Sequence, residues 1–180
     1  MKSVTSPVSV EPPLQPLSGE QFSLRSASIE DNARLDIAAS GLWGGRFECT
    51  MFDIRVFNPY AASNRAASTP AVYARHEREK RRRYEERTRE VERASFVPVV
   101  MSASGGAGKA ATVLYKRLAA LISEKRNDQY SATMAWIRTR LCFALVRSSI
   151  MCLRGARSSK SRTSSEIRLR LLLRRRACGL

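Results

Sequence analysis

Two aspartates sit in runs that otherwise read as strands, Asp36 in ARLDIAAS and Asp53 in TMFDIRVFNP. A carboxylate among such apolar neighbours is costly to bury unless it is paired or bound to a cation. On adjacent strands the two could share one divalent metal. Mg²⁺ suits such a site, because it takes a few carboxylate oxygens, keeps waters, and can generate hydroxide while offsetting charge on a phosphodiester. Asp36 and Asp53 are therefore the expected metal ligands and catalytic acids, with Mg²⁺ as the expected cofactor. The competing reading makes both of them strand-end residues facing water.

The next candidates lie on a charged run without Gly or Pro from Val72 to Arg93, which predicts a long helix with pairs such as Glu79 and Arg83. Tyr73, Glu77, Lys80, Tyr84 and Val91 recur at helical spacing and share one stripe. A stripe packed on the sheet points Lys80 toward the aspartates, where an ammonium can orient water or neutralise a scissile phosphate. Glu77 joins the candidate catalytic set on the same stripe. Arg81 and Arg82 are candidate nucleic-acid contacts. The alternative is that every charge here belongs to a solvated helix surface. His76 lies beside the stripe and reads as a surface residue.

SASGGAGKAAT invites comparison with a phosphate-binding loop, since it follows a strand and precedes a helix. It fails at Ala103, where a glycine is required, and at Ala110, where a hydroxyl is required. Lys109 beside a helix N-terminus can still meet a backbone phosphate, and a plain strand-to-helix turn is the alternative. Trp43 is placed to stack on a base, whereas Trp136 reads as a packing residue.

The elements that must position these residues follow from pattern. Arg34–Ala38 and Phe47–Phe57 are candidate strands separated by a Gly41–Gly45 turn. SFVPVVMS over Ser95–Ser102 reads as a strand at an edge or bulge because of Pro98. Helices are predicted over Ala110–Lys125 and from a Ser131 cap to about Gly155. The order indicates an α/β domain, a small mixed sheet flanked by helices with a helical C-terminal part. Residues 1–17, broken by Pro12, Pro13 and Pro16, read as a linker to something upstream, residues 18–155 as the domain, and residues 156–180 as a basic tail, disordered or weakly helical.

The chain of 180 residues carries a formal net charge of +16, with a pI near 10.8. A small domain stays soluble with a charge of roughly 2 to 8 in magnitude, so a polyanionic partner, DNA or RNA, is the simplest account. Basic residues in several segments favour nucleic acid over a membrane surface. Cys49, Cys142, Cys152 and Cys178 are scattered and only His76 accompanies them, which supports neither a zinc module nor a disulfide framework. Prolines interrupt the start of the chain where a signal peptide needs a continuous apolar stretch, and Leu141–Leu153 is too short to span a bilayer. An intracellular setting, nuclear or cytoplasmic, is expected.

Taken as a set, VEPPLQPLSGE, EDNARLDIAASGLWGGRFE, FDIRVFNP, YARHEREKRRRYEERTREVERASFVPVV, SGGAGKAATVLYKRLA and LCFALVRSSIMCLRGARS resemble the C-terminal region that follows the reverse transcriptase in polyproteins of animal retrotransposons. The resemblance spans roughly Val10 to Ser158. Such a region resembles the PD-(D/E)XK restriction-endonuclease-like group, whose core places an Asp on one strand and an Asp or Glu followed by x-Lys on the next. It implies a restriction-endonuclease-like core in which Asp36 is the first acid and Asp53 the second. It also implies a divalent-metal-dependent endonuclease that nicks target DNA, working beside the upstream polymerase region of the same polyprotein. Arg55 stands where the lysine is expected, leaving Lys80 on the following helix as the substitute and Arg55 as a clamp on the nucleic acid. The helix and strand that the group places before its first acid are short or missing. A catalytically inactive, basic nucleic-acid-binding fragment of the same element is the alternative.

Overall fold

A computed structural model describes residues 8–30, 32–43, 45 and 47–155. The expected tail, 156–180, and the first seven residues of the expected linker lie outside them. Four strands form one mixed sheet in sequence order: β1 (Val8–Val10), β2 (Ile37–Ser40), β3 (Cys49–Phe57) and β4 (Ser95–Ser102). β1 and β2 are antiparallel, as are β2 and β3, while β3 and β4 run parallel. A parallel pair needs a crossover, and it is supplied by the long helix α1 (Thr69–Glu90). Helices α2 (Lys109–Arg126) and α3 (Tyr130–Gly155) complete the described α/β unit.

Side-chain alternation in β3 and β4 divides the core between the two sheet faces. Met51, Phe57, Phe96 and Val100 face α1, where they pack with Val72 and Tyr84. Phe52, Ile54, Val97 and Val99 face α2, where Ala111, Leu114 and Leu118 meet them. α3 lies on α2 through Met134, Ile137 and Leu141. Pro98 is accommodated because β4 pairs only with β3 and forms an edge.

The segment expected as a linker is, from residue 8 onward, part of the fold. β1 adds to the sheet, Leu14 is buried at 2% exposure, and its amide donates to the Ala33 carbonyl. Its prolines disguise it in sequence, yet an outer strand and an irregular return tolerate missing N–H groups where an inner strand would not. α1 begins three residues before the expected start, with Pro70 in its first turn, where a missing N–H is harmless. α3 begins at Tyr130, which places Ser131 inside the first turn and not at the cap. Trp43 packs 6.2 Å from the Phe52 ring and belongs to the α2-side core. Trp136 is partly exposed between the Arg126 and Arg140 guanidinium groups. Among the described residues no helix is long and apolar enough to cross a membrane.

Candidate functional site

The strand register explains how two aspartates seventeen positions apart come together. The antiparallel ladder pairs Ala38 with Met51 and Ile37 with Phe52. One further step along both chains sets Asp36 beside Asp53, on the face that carries Met51 and therefore faces α1. The regular ladder stops there, and a side chain supplies the next link: the Ile54 amide donates to Asp36 Oδ2 at 2.5 Å. The Asp36 backbone is fixed on both sides, its N–H donating to the Phe52 carbonyl and its own carbonyl accepting from the Glu11 amide.

From the helix above, Lys80 reaches down to this point. Its Nζ lies 2.6 Å from Asp53 Oδ2, and both side chains are largely buried. The contact is a close charge pair whose angles fall short of a directed hydrogen bond. Asp53 is 8% exposed and lies across from Pro98 of β4, a neighbour that offers it no hydrogen bond. Burial pushes the Asp36 carboxyl up to about 6, the Ile54 N–H working against this, while the neighbouring Asp53 carboxylate adds to the rise. The centre is thus two adjoining carboxyl side chains under one ammonium.

A second group lies two residues further along β3 on the same face. Arg55 Nη1 donates to Glu79 Oε2 at 2.8 Å, and His76 Nδ1 is 3.5 Å from that oxygen. His76, expected at the surface, is 6% exposed and its ring lies 5.0 Å from that of Phe57. Its imidazole is held below the ordinary histidine range, first by burial and then by the Arg55 charge. The pairing expected between Glu79 and Arg83 does not form; Glu79 goes to Arg55, and Arg83 reaches Glu30 at 3.1 Å.

The inward stripe of α1 runs through Val72, His76, Lys80, Tyr84 and Thr88, a strict repeat of four. It shares Lys80 and Tyr84 with the expected stripe, but the first half is rotated by one residue. Tyr73 and Glu77 therefore turn toward the loop before α2. Glu77 Oε1 accepts the Ala110 amide at 3.1 Å and fills the space beside Gly108, while the Tyr73 hydroxyl fills the space beside Gly106. The structure thus brings Asp36, Asp53 and Lys80 together and sets Glu77 apart, at the start of α2. The α2 N-terminus already holds a carboxylate, with Lys109 exposed next to it. Of the expected nucleic-acid contacts, Arg55 faces Glu79 and Arg81 pairs with Glu85 at 2.6 Å, whereas Arg82 lines an open basin.

A divalent cation fits the donor set. One oxygen of each aspartate is engaged, by the Ile54 amide and by Lys80, and the two side chains are also in hydrogen-bond contact with each other, a contact that a cation between them would replace. Mg²⁺ is held by one or two carboxylates together with waters and substrate phosphates, without a full protein cage. Among the described residues no group of three or more His, Cys, Asp or Glu side chains gathers, so a cation here would rest on the two aspartates. No known protein family, curated protein or solved structure matches the chain.

Proposed function

We propose that the Asp36, Asp53 and Lys80 cluster is the centre of a divalent-metal-dependent endonuclease acting on nucleic acid, DNA in the first instance. The observation that carries this reading is the convergence at a single point of Asp53 from β3, Asp36 from the residue just before β2 and one amine from α1. Asp36 and Asp53 would hold Mg²⁺ between them. The ion, when bound, lowers the pKa of a bound water and offsets charge on the phosphodiester. Asp36 is positioned by the Ile54 amide, which fixes one oxygen, and its side chain adjoins Asp53. Lys80 pairs with the Asp53 side chain and offers further N–H donors to a phosphate oxygen. The sheet order with a crossover helix after the second acid supports a restriction-endonuclease-like core. In that reading, the domain nicks target DNA for a retrotransposon-derived polyprotein, next to its polymerase region.

A second reading, an inactive basic module that only holds nucleic acid, draws on the same geometry. Lys80 already neutralises Asp53, and Arg55 is tied to Glu79 where the group's motif has a free lysine. Nicking of supercoiled plasmid with Mg²⁺ or Mn²⁺ separates the two. The nuclease reading expects nicking that disappears in Asp36→Asn and Asp53→Asn, while duplex retention persists or improves. A folded wild-type chain that retains DNA but never cuts it establishes the binding module instead.

A further inference from the structure

The outward side of α1 carries a basin of about 520 Å³ lined by Ser26, Arg75, Arg78, Glu79, Arg82 and Arg83. Its size falls within the roughly 300 to 1,000 Å³ of ordinary ligand pockets, but those are mainly apolar and this one is walled by guanidinium groups. Its charge is also uncommitted to an unusual degree. Arg81, Arg83 and Arg89 each pair with a carboxylate. Among the described residues none of Arg75, Arg78 and Arg82 does. Glu79, the acid on the basin's rim, is turned to Arg55. Arg75 is braced by Asn64 Oδ1, and Arg78 Nε donates to the Ala74 carbonyl within its own helix, so these side chains are oriented without being neutralised.

We infer that the Arg75, Arg78 and Arg82 stripe is a track on which one phosphodiester backbone lies, on the face of α1 turned away from the acid pair. This rests on the nucleic-acid reading above and deepens it by separating the arginines that bind from those that only pair. Three features support it. The residues recur at three and four positions and share one helix face. From Arg75 to Arg82 the helix rises about 10 Å, long enough to set three guanidinium groups against successive phosphates of one strand. The stripe also lies on the solvent side of α1, and the acid beside it, Glu79, is engaged with Arg55 and does not neutralise it. Arg is suited to the role because its planar fork matches phosphate and stays charged at any working pH.

The test measures binding without cleavage, in EDTA, so that it stands whether or not the chain is a nuclease. Fluorescence anisotropy of labelled 20-mer DNA, duplex and single-stranded, is followed across a salt series for the full chain. Two triple variants, R75Q/R78Q/R82Q and R75A/R78A/R82A, are compared with the control R81Q/R89Q, and all are checked for native circular dichroism and melting. Each phosphate that the protein no longer neutralises should reduce the slope of log affinity against log salt by about 0.9 on duplex DNA. The stripe variants should therefore lose between two and three from the slope and at least tenfold in affinity, while the control stays within twofold. Equal slopes for stripe variant and wild type overturn the inference, as does an equal loss in the control. Loss of binding to phosphatidylserine vesicles with DNA binding intact also overturns it, and assigns the basin to a membrane surface.

Discussion

Lys80 Nζ lies 2.6 Å from Asp53 Oδ2, so a helix supplies the cation that β3 does not, its own Arg55 being engaged with Glu79. Removing one partner of such a pair leaves a buried charge without compensation, which costs more than the pair itself contributes. Lys80→Met should therefore lower unfolding free energy by about 2 to 3 kcal/mol at pH 7, at or below the range for fully buried pairs because some solvent reaches the amine. The double variant Lys80→Met with Asp53→Asn should recover part of that loss. Urea denaturation of the four proteins gives the coupling directly, and additive losses would mean that the pair is unimportant in solution.

Asp36 gives a pH prediction of definite sign. Its carboxyl stands at about 6 in the folded chain, raised chiefly by burial, against 3.8 as its ordinary value. Between these limits the folded state binds more protons than the unfolded state, so this group's contribution to stability falls as pH rises through about 4 to 6 and stays lost above. Asp36→Asn removes the ionisation and can still accept the Ile54 amide. It should be more stable than the wild type by about 1 kcal/mol at pH 7, a figure reduced for partial solvation, with the advantage gone at pH 4. Denaturant midpoints at pH 4, 5.5 and 7 check this, and a difference that does not depend on pH would contradict it.

The same residues show what sequence carries and what it leaves out. Strand-like runs with one internal acid locate β3 and Asp53 well, and the Ser95–Ser102 strand agrees at both ends, because apolar alternation is a local property. The grouping of Asp36 with Asp53 depends on register, and register is set by the whole sheet. The N-terminal strand is hidden by prolines whose cost depends on whether a neighbour needs their N–H. On α1 the repeat Val72, His76, Lys80, Tyr84, Thr88 is present in the sequence, but the aromatic pair Tyr73 and Tyr84 draws the expected stripe one residue aside. The single apolar β-branched residue at its start, Val72, is the better guide to the inward face. What no periodicity can reveal is which arginine of a dozen neighbouring charges is buried.

That arginine is Arg87, fully buried and, among the described residues, without a carboxylate partner. It donates to the carbonyls of Ser28 at 3.0 Å, Glu30 at 2.8 Å and Gln15 at 2.9 Å. It thereby fastens the irregular segment between Gln15 and Glu30, the approach to Asp36, onto α1. Charge-assisted hydrogen bonds of this kind contribute about 1.5 to 3 kcal/mol each, and the carbonyls left behind are desolvated. Arg87→Met should cost at least about 3 kcal/mol, and Arg87→Lys should restore only part of that, since an ammonium cannot span three carbonyls with a planar fork. Hydrogen exchange should show the loosening first in residues 15–30; unchanged protection there would contradict the fastening role.

Glu77, the first acid of α1, allows a structural role to be separated from a catalytic one. Its carboxylate caps α2 by accepting the Ala110 amide and lies against Gly108, away from the aspartates. Loss of a cap costs about 1 kcal/mol, and the favourable charge at a helix N-terminus a few tenths more. Glu77→Gln keeps an acceptor and should cost less than Glu77→Ala, by about half. If Glu77 only caps, both variants should cut at the wild-type rate at temperatures where they remain folded, whereas Lys80→Met loses nicking there. Plasmid nicking measured well below the melting temperature checks the contrast. A Glu77→Gln variant of native stability that nevertheless stops cutting would return Glu77 to the catalytic set and require α1 to rotate when DNA binds.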